Sequence, residues 1–199
     1  ITKTYTHRNL FDHASFYLQE GEKVGIIGIN GTGKSTLLKI IAGLEEPDEG
    51  GVIRANHLVI RYLPQMPEFD PEATVLESVL SYAQVGSVHK EHGGEEQERW
   101  NLESTAKSMM TRLGIYDFDE KTGHLSGGQK KRLTLVAVLL TPCDVLVLDE
   151  PTNHLDSDMA EWLENYLRNY RGAMVMVTHD RYFLDSVCNR IVEVDKGKI

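Results

Sequence analysis

A glycine-rich segment between an apolar run and an amphipathic stretch constrains the fold of this chain more than any other feature. Residues 28–36 read GINGTGKST and match the pattern G-x-x-x-x-G-K-[ST]. The apolar residues 24–27 predict a short strand, and the spacing of leucine and isoleucine after the loop predicts a helix that Gly43 closes. A strand, a glycine-rich turn and a helix in this order are typical of an α/β fold. The turn then lies at the positive end of a helix dipole, which predicts an anion-binding site.

The residues of this loop have the chemistry of a phosphate site. Glycines let the backbone curl so that successive N–H groups face one anion. Lys34 can reach the β- and γ-phosphates of a nucleotide, the Ser35 hydroxyl can ligate Mg²⁺, and Thr36 adds a hydroxyl on the α-phosphate side. The residues predicted to bind a nucleotide here are Gly28, Asn30, Gly31, Thr32, Gly33, Lys34, Ser35 and Thr36. The alternative, a glycine-rich turn without a ligand, is disfavoured by the strand and helix on either side.

Two carboxylates follow the apolar run at residues 145–148. Four consecutive apolar residues predict a strand buried on both faces, so Asp149 and Glu150 stand at its carboxyl end, where α/β sheets bind ligands. Asp149 is predicted to hold Mg²⁺ through water, and Glu150 to polarise the attacking water as a general base. Strands often end in acids, so this motif gains its specificity from the glycine-rich loop elsewhere in the chain.

A second glycine-rich segment, LSGGQ at residues 125–129, opens a predicted helix. By the same dipole argument, Ser126 and the Gly127 and Gly128 amides face a phosphate, with Gln129 completing the motif. One nucleotide has one γ-phosphate, which the first loop already cradles. Two phosphate-binding loops in one chain therefore predict a composite site in which each loop serves a nucleotide held by a partner. The alternative is a helix N-cap at Ser126 followed by flexible glycines.

The rest of the chain alternates between strand and helix patterns. The predicted elements are strands with turns over 1–23, a strand over 52–63, helices over 76–83 and about 99–113, a helical face over 133–140, a core stripe of helical spacing over 159–170, a strand over 174–177 and the start of a hairpin over 191–198. The polar, acidic residues 86–98 are predicted to form a solvated loop. This alternation indicates a largely parallel sheet with helices on its faces.

Composition narrows the class of protein. The chain has 199 residues, 41% of them hydrophobic, and a net charge of −9, which excludes a disordered chain, a fibrous repeat and a disulfide-stapled miniprotein. An acidic balance argues against a general nucleic-acid binder, while a local basic patch stays open. The longest apolar stretch, residues 135–140, is far shorter than the ~20 residues of a membrane span, and no signal peptide is visible. Cys143 and Cys188 have no metal-site spacing. We expect a soluble, cytoplasmic protein with reduced cysteines.

The three motifs together resemble a known family. GINGTGKST, LSGGQ and VLVLDEPTNHLD, in that order, are similar to the nucleotide-binding domain of ATP-binding cassette (ABC) proteins. The resemblance covers the whole chain and implies one domain over 1–199, with a helical subdomain over 66–115 inserted in the ATPase core. It implies the fold of a P-loop NTPase, with a largely parallel central sheet, an antiparallel β subdomain and a small α-helical subdomain. It also implies binding and hydrolysis of ATP with Mg²⁺.

One pair of residues indicates a subfamily. Asn153 and His154 stand where transporter cassettes more often carry small residues, and with the WNLES stretch at 100–104 they resemble the first domain of the ABC-F subfamily. Those proteins are soluble, carry two cassettes in one chain and act on ribosomes. They usually also carry a long helical arm in the helical subdomain. Only residues 86–98 occupy that place here, so we expect a short or missing arm and a chain that is a fragment of a longer protein, as its start at Ile1 also suggests.

The resemblance assigns roles to further residues. Tyr5 matches the aromatic that stacks on adenine, Gln65 matches the Q-loop residue that touches Mg²⁺ and the attacking water, and His179 matches the switch histidine at the γ-phosphate. With Lys34 and Glu150 these complete the predicted catalytic set. Thr6, His7 and Arg8 depart from the family's usual turn, so Tyr5 also fits an ordinary exposed strand residue. Asp156 matches the D-loop aspartate and also fits a helix N-cap.

The resemblance also implies partners. We expect a second cassette, either in the same chain of the intact protein or as a weak homodimer, together with a ribosome and no direct insertion into a membrane. The first alternative is the ATPase subunit of a membrane transporter. The second is an isolated domain that binds ATP and is inactive without its partner cassette.

Overall fold

The computed structural model describes residues 1–5, 8–65, 68–84 and 95–199. The chain forms two compact units. Unit 1 comprises Ile1–Tyr62, Cys143–Thr152 and Glu164–Ile199, and unit 2 comprises Leu63–Pro142 and Asn153–Leu163. The described part of the predicted insertion at 66–115 belongs to unit 2, and its role as a subdomain of one cassette stays a prediction.

The strands and helices follow one another in the order that the sequence predicts, with one additional helix over Arg181–Val187 that the sequence analysis did not predict. The strands are β1 (Lys3–Tyr5), β2 (Arg8–Phe11), β3 (Lys23–Ile27), β4 (Ile60–Leu63), β5 (Val145–Asp149), β6 (Ala173–Val177) and β7 (Arg190–Glu193). The helices are α1 (Lys34–Ala42), α2 (Val75–Gln84), α3 (Glu95–Arg112), α4 (Gly127–Leu139), α5 (Ser157–Asn169) and α6 (Arg181–Val187).

A five-stranded sheet forms the centre of unit 1, in the order β4-β5-β6-β3-β7. The β5–β6, β6–β3 and β3–β7 pairings are parallel, as predicted. All five residues of β5 and all five of β6 are buried, so both strands are covered on both faces, which explains their unbroken apolar sequences. β1 and β2 form a separate antiparallel pair. Parallel strands bring their carboxyl ends to one edge of the sheet, and this edge positions the site.

Helix α1 begins and ends where its glycines allow. Gly33 is its N-cap, and Gly43 closes it with a left-handed φ of 79° and an N–H bond to the Ile40 carbonyl, which confirms the predicted C-cap. Leu37 and Leu38 are buried in the core of unit 1. Their burial holds the first turn of α1 directly after β3 and the glycine-rich loop.

Unit 2 is built on α2, α3 and α4, which pack against one another. Each helix contributes fully buried side chains, among them Val79 from α2, Met110 from α3 and Leu133 from α4. The Thr74 hydroxyl accepts from the Glu77 N–H at 3.2 Å while the Glu77 carboxylate accepts from the Thr74 N–H at 2.9 Å, a capping box that starts α2. The apolar spacing in 76–83 and 133–140 is thus correctly interpreted as helical.

The predicted strand over 52–63 is wrong for most of its length, because only Ile60–Leu63 is a strand. Ile53 is fully exposed, so the apolar residues there do not mark a sheet face. The Arg54 side chain instead donates to the Ile40 carbonyl at 2.9 Å, and His57 has a left-handed φ of 62°. A turn and a side-chain tether replace the backbone pairing that a strand would need.

One other boundary differs from the prediction, and the predicted C-terminal turn is confirmed. Helix α3 begins at Glu95, so 95–98 of the predicted loop are helical. The rest of that loop, 86–94, lies outside the described residues, as do residues 6–7 of the turn after Tyr5. Glutamate and glutamine are good helix formers, and acidic residues favour a helix N-terminus. At the C-terminal end, the predicted turn forms, with the Lys198 N–H donating to the Asp195 carbonyl at 2.9 Å. An antiparallel bridge joins Asp195 and Lys198 across this turn, in agreement with the predicted hairpin start, while strand β7 pairs in parallel with β3.

The described ranges contain no helix long and apolar enough to cross a membrane. Cys143 and Cys188 are both free thiols. Burial raises the pKa of the Cys188 thiol to about 12, so the thiol is protonated at neutral pH.

Candidate functional site

The glycine-rich loop of unit 1 has a backbone that only glycine tolerates at its first position. Gly28 has a φ of 148°, and a Cβ atom there would lie 2.4 Å from the Val194 carbonyl oxygen. Gly33 has a φ of 99°, and a Cβ atom there would lie 3.0 Å from the Phe11 ring. The loop is therefore pressed between the end of β3, the C-terminal segment and β2. This close packing fixes the curl that the sequence predicts for an anion-binding loop.

Lys34 lies folded over this loop. Its side chain is largely buried, and its ammonium group donates to the carbonyl oxygens of Gly28 at 2.7 Å and Ile29 at 3.0 Å. Gly33 has no side chain with which to cap α1, so the first-turn amides of that helix are available to an anion. The loop brings a lysine and a helix N-terminus to one place, and these are the groups that bind phosphate.

A cleft of about 280 Å³ opens beside the loop in unit 1. It is lined by Ile27, Gly28, Ile29, Lys34, Thr178, His179, Arg181 and Glu193. The structure therefore brings two of the predicted catalytic residues, Lys34 and His179, to one cavity. Ser35 and Thr36 are half-buried in the first turn of α1, while Asn30 and Gly31 are exposed at the tip of the loop.

Asp149 and Glu150 lie at the carboxyl end of β5, as predicted, and both are buried. Glu150 has a left-handed φ of 50°, a conformation that costs a non-glycine residue about 1 kcal/mol or more. Its backbone N–H donates to the Val177 carbonyl at 2.8 Å, which ties the strained residue to the end of β6. The surrounding backbone thus determines where the Glu150 carboxylate points.

The Glu150 carboxylate is held by the segment after β6. The Thr178 hydroxyl and the His179 backbone N–H both donate to it, and the His179 Nε2 atom lies 3.4 Å from its Oε1 atom. Burial raises the pKa of the Glu150 carboxyl above its ordinary value, and the charge and backbone N–H of His179 oppose that shift. The imidazole is 65% exposed while the carboxylate is 8% exposed. A buried carboxylate with a raised pKa suits a proton acceptor, and an exposed imidazole beside it can reach a ligand.

The donors available for a metal ion fit Mg²⁺ rather than a metal held by protein alone. Among the described residues no group of three or more histidine, cysteine, aspartate or glutamate side chains could enclose a metal ion. Mg²⁺ is usually held by one or two protein groups together with substrate phosphates and water. The Ser35 hydroxyl and the Asp149 carboxylate have that chemistry, so the metal assignment agrees with the donor set.

In unit 2, Ser126 caps α4, which was the alternative interpretation of LSGGQ. Ser126 and Gln129 form a capping box, in which the Ser126 hydroxyl accepts from the Gln129 backbone N–H at 3.3 Å and the Ser126 N–H donates to the Gln129 side-chain oxygen at 2.9 Å. Gly127 is exposed, and a Cβ atom there would meet nothing within 4 Å. A capped, open helix N-terminus remains compatible with the predicted phosphate contact, and that contact stays a prediction.

The segment that contains His154 packs on this helix start. The His154 side chain would lie 3.4 Å from a Cβ atom at Gly128, and His154 has a left-handed φ of 68°.

Gln65 is exposed, directly after Pro64, whose carbonyl accepts from the Lys131 ammonium at 2.6 Å. The contact of Gln65 with Mg²⁺ and the attacking water stays a prediction.

Tyr5 and Asp156 each have a local structural role. The Tyr5 hydroxyl donates to the Glu45 carboxylate, the Lys3 ammonium lies 5.4 Å from the ring centroid, and the side chain is 44% exposed. Asp156 accepts from the Met159 N–H at 2.9 Å, which confirms it as a helix cap. Adenine stacking by Tyr5 and a D-loop role for Asp156 stay predictions.

Two hydroxyl residues beside Glu150 were missed in the sequence. The Thr152 and Thr178 hydroxyl oxygens lie 3.0 Å apart, and Thr178 also contacts the Glu150 carboxylate. The available signal was a threonine directly before His179, at the end of an apolar strand. Nothing in the spacing shows that this threonine faces the acid at the end of the neighbouring strand.

Comparisons with known proteins agree with the motifs. The family described as ABC transporter matches residues 11–153 of the chain. The uncharacterized ABC transporter ATP-binding protein YfmR from Bacillus subtilis (strain 168) is 42% identical over 225 residues, covering 100% of this chain and 36% of the relative. The energy-dependent translational throttle protein EttA from Escherichia coli (strain K12) is 36% identical over 218 residues, covering 96% of this chain and 39% of the relative. The chain spans well under half the length of these relatives.

A solved structure has the same fold. The dimeric post-hydrolysis state of the ATP-binding cassette MJ0796, bound to ADP and Pi, is similar with a TM-score of 0.82 and 26% sequence identity. The match covers 100% of this chain and 94% of that one. With the parallel sheet, the antiparallel pair and the helical unit described above, this similarity confirms the predicted ATPase fold.

Proposed function

Because this chain belongs to the ABC transporter family and is an ABC ATPase cassette, we propose that it is one half of a nucleotide-driven switch. It binds ATP with Mg²⁺, closes on a second cassette, hydrolyses the nucleotide and reopens. The observation that carries this proposal is the set of hydrogen bonds between Glu150 and residues 177–179. These residues belong to the same unit as Lys34 and its loop. A buried carboxylate held beside a phosphate-binding loop suits the activation of water for attack on phosphate.

Five residues of unit 1 are assigned a part in this reaction: Lys34, Ser35, Asp149, Glu150 and His179. ATP would supply the reactive phosphoanhydride, and Mg²⁺ held at this site would neutralise part of its charge. The Lys34 ammonium and the α1 amides hold the phosphates, and Ser35 and Asp149 would hold the metal. Glu150 accepts a proton from the attacking water while the bond between the γ-phosphorus and the bridging oxygen breaks, which releases ADP and phosphate. His179 orients the γ-phosphate from the exposed side of Glu150.

We further propose that the site is completed by a second cassette. Ser126 and the Gly127 and Gly128 amides then face the γ-phosphate of a nucleotide held by the partner. The support for this is the capped, exposed start of α4 and the similarity to MJ0796, which is described as dimeric with ADP and Pi. The partner is a second cassette of the intact protein, and in its absence a weak homodimer.

A mixing experiment tests the composite site. Lys34→Ala removes the ammonium group that is proposed to bind phosphate, and Ser126→Arg places a bulky side chain at the start of the LSGGQ segment. Each variant alone is therefore expected to be inactive. A mixture of the two can form one heterodimer in which an intact loop meets an intact LSGGQ segment, and we expect it to recover part of the wild-type ATPase rate. If the mixture never recovers, and the wild-type rate per chain does not depend on concentration, the composite site does not exist.

The molecule on which the switch acts is proposed to be the ribosome, which places the protein in the cytoplasm. The support is Asn153-His154 and the relative EttA, whose name describes a translational throttle. The intact protein with Glu150→Gln, locked with ATP, is expected to sediment with ribosomes through a sucrose cushion. Unbound protein at the top of the cushion, with ATP present, contradicts this role.

The second candidate is the ATPase subunit of a membrane transporter. The observation in its favour is that both the family and the relative YfmR are described as ABC transporter proteins. In that case the intact protein is expected in the membrane fraction together with a membrane-embedded partner. Fractionation of cell extracts therefore distinguishes the two candidates, and mass mapping of the intact gene product shows whether a second cassette follows.

A further inference from the structure

Thr178 lies where three polar groups converge in unit 1. Its hydroxyl contacts the Glu150 carboxylate, lies 3.0 Å from the Thr152 hydroxyl and accepts from the Asp180 N–H at 3.2 Å. Thr178 is only 5% exposed, so water has little access to it. The residue therefore meets its hydrogen-bonding needs almost entirely through these three groups.

The number of protons and lone pairs on the Thr178 hydroxyl determines which group donates in each of these hydrogen bonds. A threonine hydroxyl has one proton and two lone pairs, and an ionised carboxylate can only accept. The Asp180 N–H occupies one lone pair of the Thr178 oxygen, and the Thr178 proton goes to the Glu150 carboxylate. The remaining lone pair of Thr178 can only accept, so the Thr152 hydroxyl must be the donor. The result is a directed chain from Thr152 to Thr178 to Glu150.

We propose that Thr178 is a positioning residue for ATP hydrolysis, aiming the Glu150 carboxylate through this directed chain of hydroxyl groups. The inference rests on the proposed function, because it assigns Glu150 as the acceptor of the water proton. The strained backbone of Glu150 is tied to Val177, so its side chain leaves the backbone in one direction. The Thr178 hydroxyl and the His179 N–H then determine where the two carboxylate oxygens lie.

Thr178→Val separates this role from packing. Valine keeps the branched shape and suits the end of a strand, yet it lacks the hydroxyl. Thr178→Ser keeps the hydroxyl and loses a methyl group. A hydrogen bond to a charged group is strong enough to change a rate by on the order of ten- to a hundredfold. Loss of Thr152, one step removed from the carboxylate, should have a smaller effect.

Thr134 supplies a matched control. It is 2% exposed, and its hydroxyl donates to the Lys130 carbonyl at 2.9 Å within α4. Thr134→Val is the same substitution at similar burial, with a hydroxyl that bonds only within its own helix. We expect its ATPase rate to stay within twofold of wild type.

The first experiment measures steady-state ATPase rates and ATP affinity for the full chain and its variants. We expect Thr178→Val to lower kcat at least ~10-fold with KM and calorimetric ATP affinity within twofold, and Thr178→Ser to recover most of the loss. Thr152→Val should lower kcat by only about two- to fivefold. A kcat for Thr178→Val within twofold of wild type overturns the inference, as does a loss that serine does not recover.

The second experiment asks whether Thr178 acts through Glu150. In a single-turnover assay, Thr178→Val is expected to cause no further loss when Glu150→Gln is already present, because the group that it positions has gone. A further loss of tenfold in the double variant shows that Thr178 acts elsewhere. If Glu150→Gln hydrolyses ATP at the wild-type rate, the proposed function fails as well, and this outcome is distinct from a failure of Thr178 alone.

A third measurement does not depend on turnover. Crystal structures of wild type, Thr178→Val and Thr178→Ser are expected to show the Glu150 carboxylate in one position in the first and third proteins. In Thr178→Val it should be displaced or occupy several rotamers. An unchanged carboxylate position in Thr178→Val overturns the inference even for a chain whose ATPase rate is too low to measure.

Discussion

The backbone N–H of Glu150 donates to the carbonyl oxygen of Val177 at 2.8 Å, joining the residue after β5 to the last residue of β6. This bond continues the β5–β6 ladder by one residue beyond Asp149, where the chain has already turned into a left-handed conformation. Glu150 thereby keeps the rigidity of the sheet although it lies outside the strand. Glu150 and the segment that contains His179 are consequently joined at the same edge of the sheet in unit 1.

Glu150→Gln is expected to separate nucleotide binding from turnover. Glutamine keeps the size and most hydrogen bonds of the side chain but accepts a proton far less readily. ATP affinity measured by calorimetry should remain within twofold of wild type, while the ATPase rate should fall on the order of a hundredfold or more. Trapped ATP should also increase the dimer fraction in sedimentation. A variant that hydrolyses ATP at the wild-type rate would mean that another residue is the base.

Lys34→Ala is expected to weaken ATP binding by at least about tenfold, because it removes a charge-assisted contact to phosphate. Lys39 gives a matched control, since it lies on the same helix with an exposed side chain. Lys39→Ala should bind ATP as wild type does. Calorimetry with ATP and Mg²⁺ makes both measurements, and equal affinities of the two variants would remove Lys34 from the site.

Gly28→Ala is expected to destabilise the protein and weaken ATP binding together. The added Cβ would lie 2.4 Å from the Val194 carbonyl oxygen at a φ of 148°, so the loop must shift. We expect a loss of about 2 kcal/mol or more in unfolding free energy, which lowers Tm by about 4 °C or more for a chain of this length. A Cβ at Gly51 would meet nothing within 4 Å, so Gly51→Ala should change Tm by no more than ~1–2 °C. Similar Tm values for the two variants would contradict the close packing of the loop.

The capping box of α2 predicts a pH dependence of stability. The N–H and the hydroxyl of Thr74 donate to the Glu77 carboxylate and lower its pKa below the ordinary value of 4.5. A lowered pKa in the folded state contributes stability at pH values above 4.5, and this contribution disappears as the pH falls through the folded-state pKa.

Glu77→Gln isolates this contribution, because glutamine keeps an acceptor oxygen and loses the charge. Wild type should be more stable than the variant at pH 7, and the difference should shrink as the pH falls below 4.5. Denaturant unfolding of both proteins between pH 7 and pH 3 provides the measurement. A difference that stays constant over this range would show that the Glu77 charge does not stabilise the cap.

The sequence predicts those features whose cause is local. The strand before Gly28, the C-cap at Gly43 and the buried strand ending in Asp149 each depend on residue types within a few positions, and all three are confirmed. The apolar residues at 52–53 mislead because periodicity shows which face of an element is apolar and does not show whether another strand is there to pair with it. Ile53 has no such cover and is fully exposed.

The geometry around Glu150 depends on residues far apart in the chain and could not be predicted. Its left-handed backbone is stabilised by Val177, and its carboxylate by Thr178 and His179, which arrive on a different strand. Sequence spacing indicates that the ends of β5 and β6 meet at one edge of the sheet. It does not indicate which hydroxyl faces which acid, because that depends on the register of the two strands.

The Lys34 ammonium has three protons, and two of them are committed to the carbonyl oxygens of Gly28 and Ile29. If Lys34 binds the γ-phosphate as proposed, those oxygens compete with the phosphate for the same ammonium group. The binding free energy of ATP would then include the cost of breaking the two hydrogen bonds from Lys34 to the loop, which offsets part of the free energy gained from its contact with phosphate. On release of the nucleotide the ammonium would return to these two carbonyl oxygens, so that a largely buried charge would keep hydrogen-bond partners throughout the exchange of ADP for ATP.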